Sequence, residues 1–295
     1  MTPASAPFAE QPRAEGVAGL PGSAAVMAQA RTENFPVASR LLPRRTRSHL
    51  LALYGFARLV DDAGDEGGGD RLALLDEIEA ELELAFASAA RQPLLARLQP
   101  TIAACGLPIE PFRRLVEANR RDQLKHRYKT FGELLEYCTL SANPVGELVL
   151  RVFGAATADR LTLSNAVCSG LQLVEHWQDV AEDYERGRIY LPLCDRERYS
   201  VEEHDLALPK PTAELRELLA LEVARARRLL DQGAPLIGTL RGRPALAVAL
   251  FVSGGRSALK AIERADYDVL SMRPRPTRGL RITGLLATLV GRPGR

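Results

Sequence analysis

Two stretches of the chain carry carboxylates at spacings that a helix would stack on one side. LVDDAGDEGGGD, residues 59–70, holds Asp61, Asp62, Asp65 and Glu66. GLQLVEHWQDVAEDYERGRIYLP, residues 170–192, holds Asp179 and Asp183, with Glu175 and Gln172 on the same stripe when the helix is traced backward. In the first stretch Tyr54, Arg58, Asp61 and Asp65 form a stripe of nearly the same spacing. Like charges one turn apart on a helix destabilise it by roughly 0.2–0.5 kcal/mol. A single acidic cluster reads as a solvated helix end. The second helix argues otherwise, because its other faces carry Leu161, Leu163, Val167, Leu171, Val174, Trp177 and Val180, which turns the acidic stripe inward. Buried carboxylates without partners cost far more than a surface repulsion. Two such stripes facing each other call for cations.

Ligand type narrows the cation. Carboxylate oxygens with no His/Cys set favour Mg²⁺ or Mn²⁺ over zinc. Mg²⁺ keeps several waters and is held by one or two carboxylates plus substrate phosphate oxygens. The stripes therefore read as a helical pocket in which Asp61 and Asp65 oppose Asp179 and Asp183 and clamp a diphosphate through magnesium. Arg58, Arg186, Arg188 and Arg273 are candidates to neutralise phosphate oxygens. His176, one step from Glu175, points away from the stripe and reads as a packing or supporting residue.

The elements that must position these residues are helical throughout. Apolar residues recur at three- and four-residue spacing from about residue 46 onward, giving helices over roughly 46–64, 70–90, 94–104, 111–126, 131–156 (bent at Asn143-Pro144), 159–185, 212–233, 243–266 and 277–290. Strand alternation and hairpin dipeptides are essentially missing. GGGD and SGGR lack the strand-before, helix-after setting of a dinucleotide loop. A chain of 295 residues with 46% hydrophobic content can bury a sizeable core, and no linker divides the helices. One all-α domain over residues 31–290 follows, preceded by an Ala/Pro/Gly-rich flexible tail at 1–30 that lacks a signal peptide's basic start. The net charge of +2 gives no electrostatic case for nucleic acid. Cys105, Cys138, Cys168 and Cys194 are far apart and read as reduced thiols of a cytoplasmic protein. No run of 18 apolar residues is present, so no membrane span is expected.

Three segments together carry a more specific resemblance. YGFARLVDDAGDE at 54–66, YCTLSANPVGELV at 137–149 and QLVEHWQDVAEDYERGRIYLP at 172–192 resemble, in order and spacing, the three signatures of the squalene/phytoene synthase family. ENFPVASRLLPRRTR at 33–47 is similar to that family's opening segment, and the likeness covers roughly residues 31 to 280. ENFPVAS and WQDVAEDYERGRIYLP are most similar to the hopanoid-associated branch, the hydroxysqualene synthases.

The resemblance implies the class I isoprenoid synthase fold and head-to-head prenyl chemistry. Two farnesyl diphosphates join into presqualene diphosphate, which ionises, rearranges and is quenched by hydride or water. It implies that Asp61, Asp65, Asp179 and Asp183 are the magnesium ligands and take part in catalysis. Tyr54, Arg58, Gln172, Glu175, Arg188, Tyr190 and Arg273 are implied around the substrate, and Tyr137 as the tyrosine assisting proton removal or cation stabilisation. A phenol suits that task because its π face shields a cation while its oxygen handles a proton. The hydroxysqualene branch implies Mg²⁺ (or Mn²⁺) and no NADPH, presqualene or farnesyl diphosphate as substrate, and coupling to other hopanoid-pathway enzymes.

The chain departs from the family pattern at Glu175 (commonly asparagine), Gln178 (commonly basic), Glu33 (often lysine) and Asn143 (often glycine). These changes alter charge around a second diphosphate position, so a preference for presqualene diphosphate and an alcohol product is expected. Alternatives are a squalene or phytoene synthase condensing two prenyl diphosphates, a terpene cyclase or chain-elongating prenyltransferase, and a non-catalytic assembly factor of the same fold. DVAED lacks the adjacent aspartates that elongating enzymes show in both motifs, and scaffolds tend to lose the aspartates kept here. LRITGLLATLVGR near the C-terminus is patterned both as a last core helix and as a segment able to rest on the inner face of a membrane.

Overall fold

In a computed structural model of the chain, residues 42–65 and 69–276 and the position of Thr288 are described. The opening segment before residue 42, with Glu33, lies outside them, as do Glu66 and the 277–290 helix apart from Thr288. The described elements are α1 (Arg44–Asp65), α2 (Arg71–Phe86), α3 (Pro93–Cys105), α4 (Glu110–Leu124), α5 (Phe131–Ser141), α6 (Asn143–Val152), α7 (Ala158–Gln178), α8 (Val180–Glu185), α9 (Leu193–Arg198), a 3-10 turn (Glu203–Ala207), α10 (Ala213–Gly233), α11 (Leu236–Thr239) and α12 (Gly242–Arg264). Asp70, Thr130, Thr157 and Thr212 cap the helices that follow them, each side-chain oxygen accepting from backbone N–H groups of the first turn.

Three apolar clusters surround the site. One joins α1 to α4 through Phe56, Leu59, Leu75, Leu95 and Phe112, with Phe56 and Phe112 meeting edge to face at 5.1 Å. A second joins α5, α7 and α10 around Trp177, Leu134, Leu173, Leu215 and Leu219. The third packs α6 and α7 against α11 and α12 through Leu150, Val167, Leu236, Val248 and Ala249. Gly233 makes the α10–α7 crossing close, since a Cβ there would stand 2.7 Å from the Leu163 carbonyl oxygen. Behind this layer Arg225 joins α9 to α10, bonding Asp195 at 2.6 Å and the fully buried Glu222 at 2.8 Å.

The helical expectation meets three corrections. The 131–156 helix is two helices, parted at Ala142 (φ −116°, ψ −46°). The 159–185 helix is interrupted at Asp179. The short helices α9 and α11 have no counterpart in the periodicity reading. By length and composition alone α12 is long and apolar enough to cross a membrane, but 61% of its most apolar window is buried in the protein, as in a core helix. The only β pairing among the described residues is an isolated parallel bridge, Arg127 to Ile189. Ile189 N–H donates to the His126 carbonyl at 2.9 Å, and Leu193 N–H to that of Tyr128 at 2.9 Å. This contact brings the α4–α5 link against the α8–α9 link, and with it Tyr128, Arg188 and Tyr190.

Candidate active site

The first acidic stripe occupies the C-terminal half of α1, which Phe56, Leu59, Val60 and Ala63 anchor in the core. Arg58 Nε pairs with Asp62 Oδ1 at 2.6 Å, so this guanidinium is committed to a buried carboxylate of its own helix. Asp65 pairs with Arg188 Nη1 at 2.8 Å, which links the two acidic stretches directly. Asp61 accepts from Asn119 Nδ2 of α4 at 3.2 Å. Gly64 lets α4 approach, because a Cβ there would collide with Asn119, and Gln123 donates to the Gly64 carbonyl at 3.0 Å. Asp61 keeps solvent contact along one side while protein crowds the others. That crowding pushes its carboxyl up to about 6, against the Asn119 bond and with help from Asp65.

The second stripe straddles the α7–α8 joint. Asp179 leaves the helical region (φ −109°, ψ 17°), but the ladder runs on, Asp179 N–H donating to Glu175 at 3.0 Å and Asp183 N–H to Asp179 at 2.8 Å. Glu175, Asp179 and Asp183 therefore stay stacked despite the break. Arg273 holds Asp179 through an ion pair, Nε to Oδ1 at 2.6 Å, and a hydrogen bond from Nη2 to Oδ2 at 2.7 Å. Gln178 is buried and donates to the Pro274 carbonyl, tying the segment that carries Arg273 to the end of α7. Burial pushes Asp183 up to about 8, with the Asp179 charge adding to it and Arg188 opposing. Asp179 is raised to about 6, again by burial, against Arg273. Arg186 pairs with Glu182 at 2.8 Å on the exposed side of α8.

An aromatic layer lies beneath. His176 is buried and stacks on Tyr190 at 3.7 Å, while Tyr137 and Tyr128 pack against Tyr190 at 5.9 and 5.7 Å. The Tyr137 hydroxyl donates to Asp122 of α4 at 2.5 Å. Burial raises the Asp122 carboxyl to about 7, against the Tyr137 bond and Arg188. Sequence reasoning missed Asp122. The available signal was its place on the buried stripe of α4, after Leu115 and Ala118.

An apolar cavity of about 280 Å³ opens beside this layer. One buried water needs only ~10–15 Å³ on the same measure, so the space suits a long apolar chain. Tyr54, Gln172 and Glu175 are among its lining residues, together with Phe153, Val167, Leu236 and Val248. Tyr54, Gln172 and Glu175 thus lie on the cavity wall, Arg188 and Arg273 lie among the aspartates, and Tyr137 and Tyr190 are not on the wall.

Among the described residues no three His, Cys, Asp or Glu side chains converge into a self-sufficient metal site. Mg²⁺ does not require one, because one or two carboxylates and phosphate oxygens suffice. The donor set fits that mode, with the carboxyls of Asp61, Asp179 and Asp183 all raised by crowding with too little positive charge nearby. In this structure Arg188 pairs with Asp65 and Arg273 with Asp179.

The squalene/phytoene synthase family model matches residues 28–281. The chain belongs to the squalene/phytoene synthase family. A hydroxysqualene synthase of Rhodopseudomonas palustris is 36% identical, covering 72% of this chain and 72% of that protein. A phytoene synthase of Arthrospira platensis is 34% identical, covering 82% of this chain and 83% of that protein. The crystal structure of squalene synthase HpnC from Alicyclobacillus acidocaldarius superimposes with a TM-score of 0.77 at 45% identity, covering 82% of this chain and 92% of that one. The fold is that of the class I isoprenoid synthases, and members of this squalene/phytoene synthase family process prenyl diphosphates. Two of the departures from the family pattern have plain structural roles: Gln178 is engaged with Pro274, and Asn143 is buried and accepts from Ser169 at 3.0 Å.

Proposed function

We propose that the chain converts presqualene diphosphate and water to hydroxysqualene and diphosphate. The observation that carries this reading is the apolar cavity lined in part by Gln172 and Glu175, the latter one helical turn before Asp179. Presqualene diphosphate has a long hydrocarbon body and a single diphosphate. Its body would fill the cavity and its diphosphate would meet the aspartates. Magnesium held by Asp61, Asp65, Asp179 and Asp183 supplies Lewis-acid stabilisation of the departing diphosphate's charge, worth several kcal/mol in such sites. Arg188 and Arg273 lie where their guanidinia can turn to phosphate oxygens, for which their fork geometry is suited. The Tyr54 ring on the wall offers a π face to the cation. The C–O bond to diphosphate breaks, water's oxygen forms the new C–O bond, and one water proton is released.

NADPH has no part in this reaction, because water rather than hydride ends it. The protein works in the cytoplasm and delivers its apolar product at the inner membrane face to later hopanoid-pathway enzymes. Condensation of two prenyl diphosphates is the second reading, favoured by the 34% identity to a phytoene synthase. The test is incubation of the purified chain with Mg²⁺ and either presqualene or farnesyl diphosphate, with lipids identified by mass spectrometry. Hydroxysqualene from presqualene diphosphate is the expected result. Efficient formation of a thirty-carbon product from farnesyl diphosphate alone would favour the second reading.

A further inference from the structure

The cavity-lining residues of α7 form one stripe, Ser164, Val167, Cys168, Leu171, Gln172 and Glu175, at the three- and four-residue spacing of a single helix face. At about 1.5 Å of rise per residue, Ser164 stands about 16 Å from Glu175 and farther still from Asp179. α6 runs back along this stripe in the opposite direction. Ser169 donates to Asn143 at 3.0 Å, and farther along α6 a Cβ at Gly146 would strike Ser164 and Cys168. Phe153, two turns beyond Gly146, therefore lies past Ser164, at the end of the cavity remote from the aspartates. Phe251, the other phenylalanine on the wall, borders the middle, one turn from Gly255, whose Cβ would meet Leu171. The place of Phe153 is fixed by its backbone. The N–H groups of Gly154 and Ala155 donate to the Arg151 and Leu150 carbonyls at 2.9 and 2.8 Å, with Gly154 at φ +64°, closing the helix with a left-handed glycine. Phe153 packs against both the α1–α4 cluster and the cluster of α6, α7, α11 and α12.

We infer that Phe153 is the floor of the cavity and sets the length of prenyl chain that the site accepts. This inference rests on the reading that the cavity holds the hydrocarbon body of a prenyl diphosphate. A chain held at the aspartates by its diphosphate reaches toward Phe153 as it lengthens. The ring stands where two packed clusters meet, so it cannot yield without disturbing both, and interiors packed this closely feel a change of one methylene. One methylene too many or too few in a hydrophobic pocket changes kcat/KM by roughly 10–200-fold. An arm longer by a whole isoprene unit should be penalised at least as much. The residue thus selects substrate length at a distance from the diphosphate, and the groups that bind diphosphate play no part in the selection.

The test is the ratio of kcat/KM for two substrates that differ only in arm length, with Mg²⁺, in the wild type, Phe153→Ala and Phe153→Leu. Presqualene diphosphate and its forty-carbon homologue form the pair. Farnesyl and geranylgeranyl diphosphate replace them if the wild type condenses two prenyl diphosphates instead. The wild type should favour the shorter substrate by at least about tenfold. Phe153→Ala should raise relative turnover of the longer one on the order of tenfold, and Phe153→Leu by less. A wild type indifferent to length, or a ratio unchanged in both variants, overturns the inference. Cys168→Phe separates that failure from failure of the cavity reading, because a ring partway along the wall should depress turnover of both substrates. Unchanged turnover in Cys168→Phe, or a wild type that consumes neither pair, overturns the cavity reading as well. Circular dichroism reports the helicity of each variant, and Phe153→Leu decides if Phe153→Ala does not fold.

Discussion

Removing the Tyr137 hydroxyl should destabilise the protein by an amount that depends on pH, in a direction the structure dictates. In Tyr137→Phe the ring stays among Tyr128, His176 and Tyr190, while Asp122 loses the bond to Oδ2. Its Oδ1 already has no hydrogen-bond partner, and the residue is only 8% exposed. Burial holds the Asp122 carboxyl at about 7 in the folded protein, against about 3.9 in an unfolded chain. A carboxyl raised on folding carries no penalty below its unfolded pKa, where it is protonated in both states. Stability then falls as pH rises, and the penalty is complete above the folded pKa. Loss of the Tyr137 donor raises the folded pKa further, so the variant's penalty keeps growing above pH 7 where the wild type's has levelled. At pH 6 the lost bond joins two neutral groups and costs about 1 kcal/mol; at pH 8 it joins a hydroxyl to a carboxylate and costs about 1.5–3 kcal/mol. Urea midpoints of both proteins at pH 6 and pH 8, at unchanged m, measure the difference. A loss equal at the two pH values, or larger at pH 6, would refute the Asp122 assignment.

Asp61→Asn, Asp65→Asn, Asp179→Asn and Asp183→Asn should each abolish most turnover with helical circular dichroism intact; near wild-type rates in any two of them at saturating Mg²⁺ would break the clamp assignment. Adding NADPH should change neither rate nor product, and a shift from alcohol to squalene on its addition would contradict the water-quench reading. Gly146→Ala should cost about 1–3 kcal/mol by overpacking, because its Cβ would strike Ser164 and stand 2.5 Å from Cys168 Sγ on the cavity wall. Thermal melts give that cost, and an unchanged melting temperature would mean that α6 and α7 separate easily.

The sequence disclosed what repeats locally. Asp61 and Asp65, like Asp179 and Asp183, are visible because one helical turn separates them and apolar residues fill the remaining faces. The break at Asp179 was not visible, since it alters one residue's φ and ψ while the hydrogen-bond ladder and the side-chain period continue. The arginine partners were legible only as candidates. Arg273 reaches Asp179 from 94 residues away, and Arg188 meets Asp65 only through the bridge between Arg127 and Ile189. Arg58 looked available to a phosphate because its stripe is acidic, and the structure spends it on Asp62 one turn along. Asp122 escaped notice because its partner lies across a turn, 15 residues on, where no helical period connects them. Helices α9 and α11 are shorter than any window in which a 3.6-residue period can be counted.

In the proposed reaction, ionisation of the carbon–oxygen bond is followed by capture of water in the cavity. This order of steps is tested most directly by turnover of presqualene diphosphate with Mg²⁺ in water enriched in oxygen-18, with mass spectrometry of both products. Water capture by the cation should leave one labelled oxygen in hydroxysqualene and none in the released diphosphate. An alcohol that retains the substrate's unlabelled oxygen, with the label in the phosphate product, would mean cleavage at phosphorus and would contradict it.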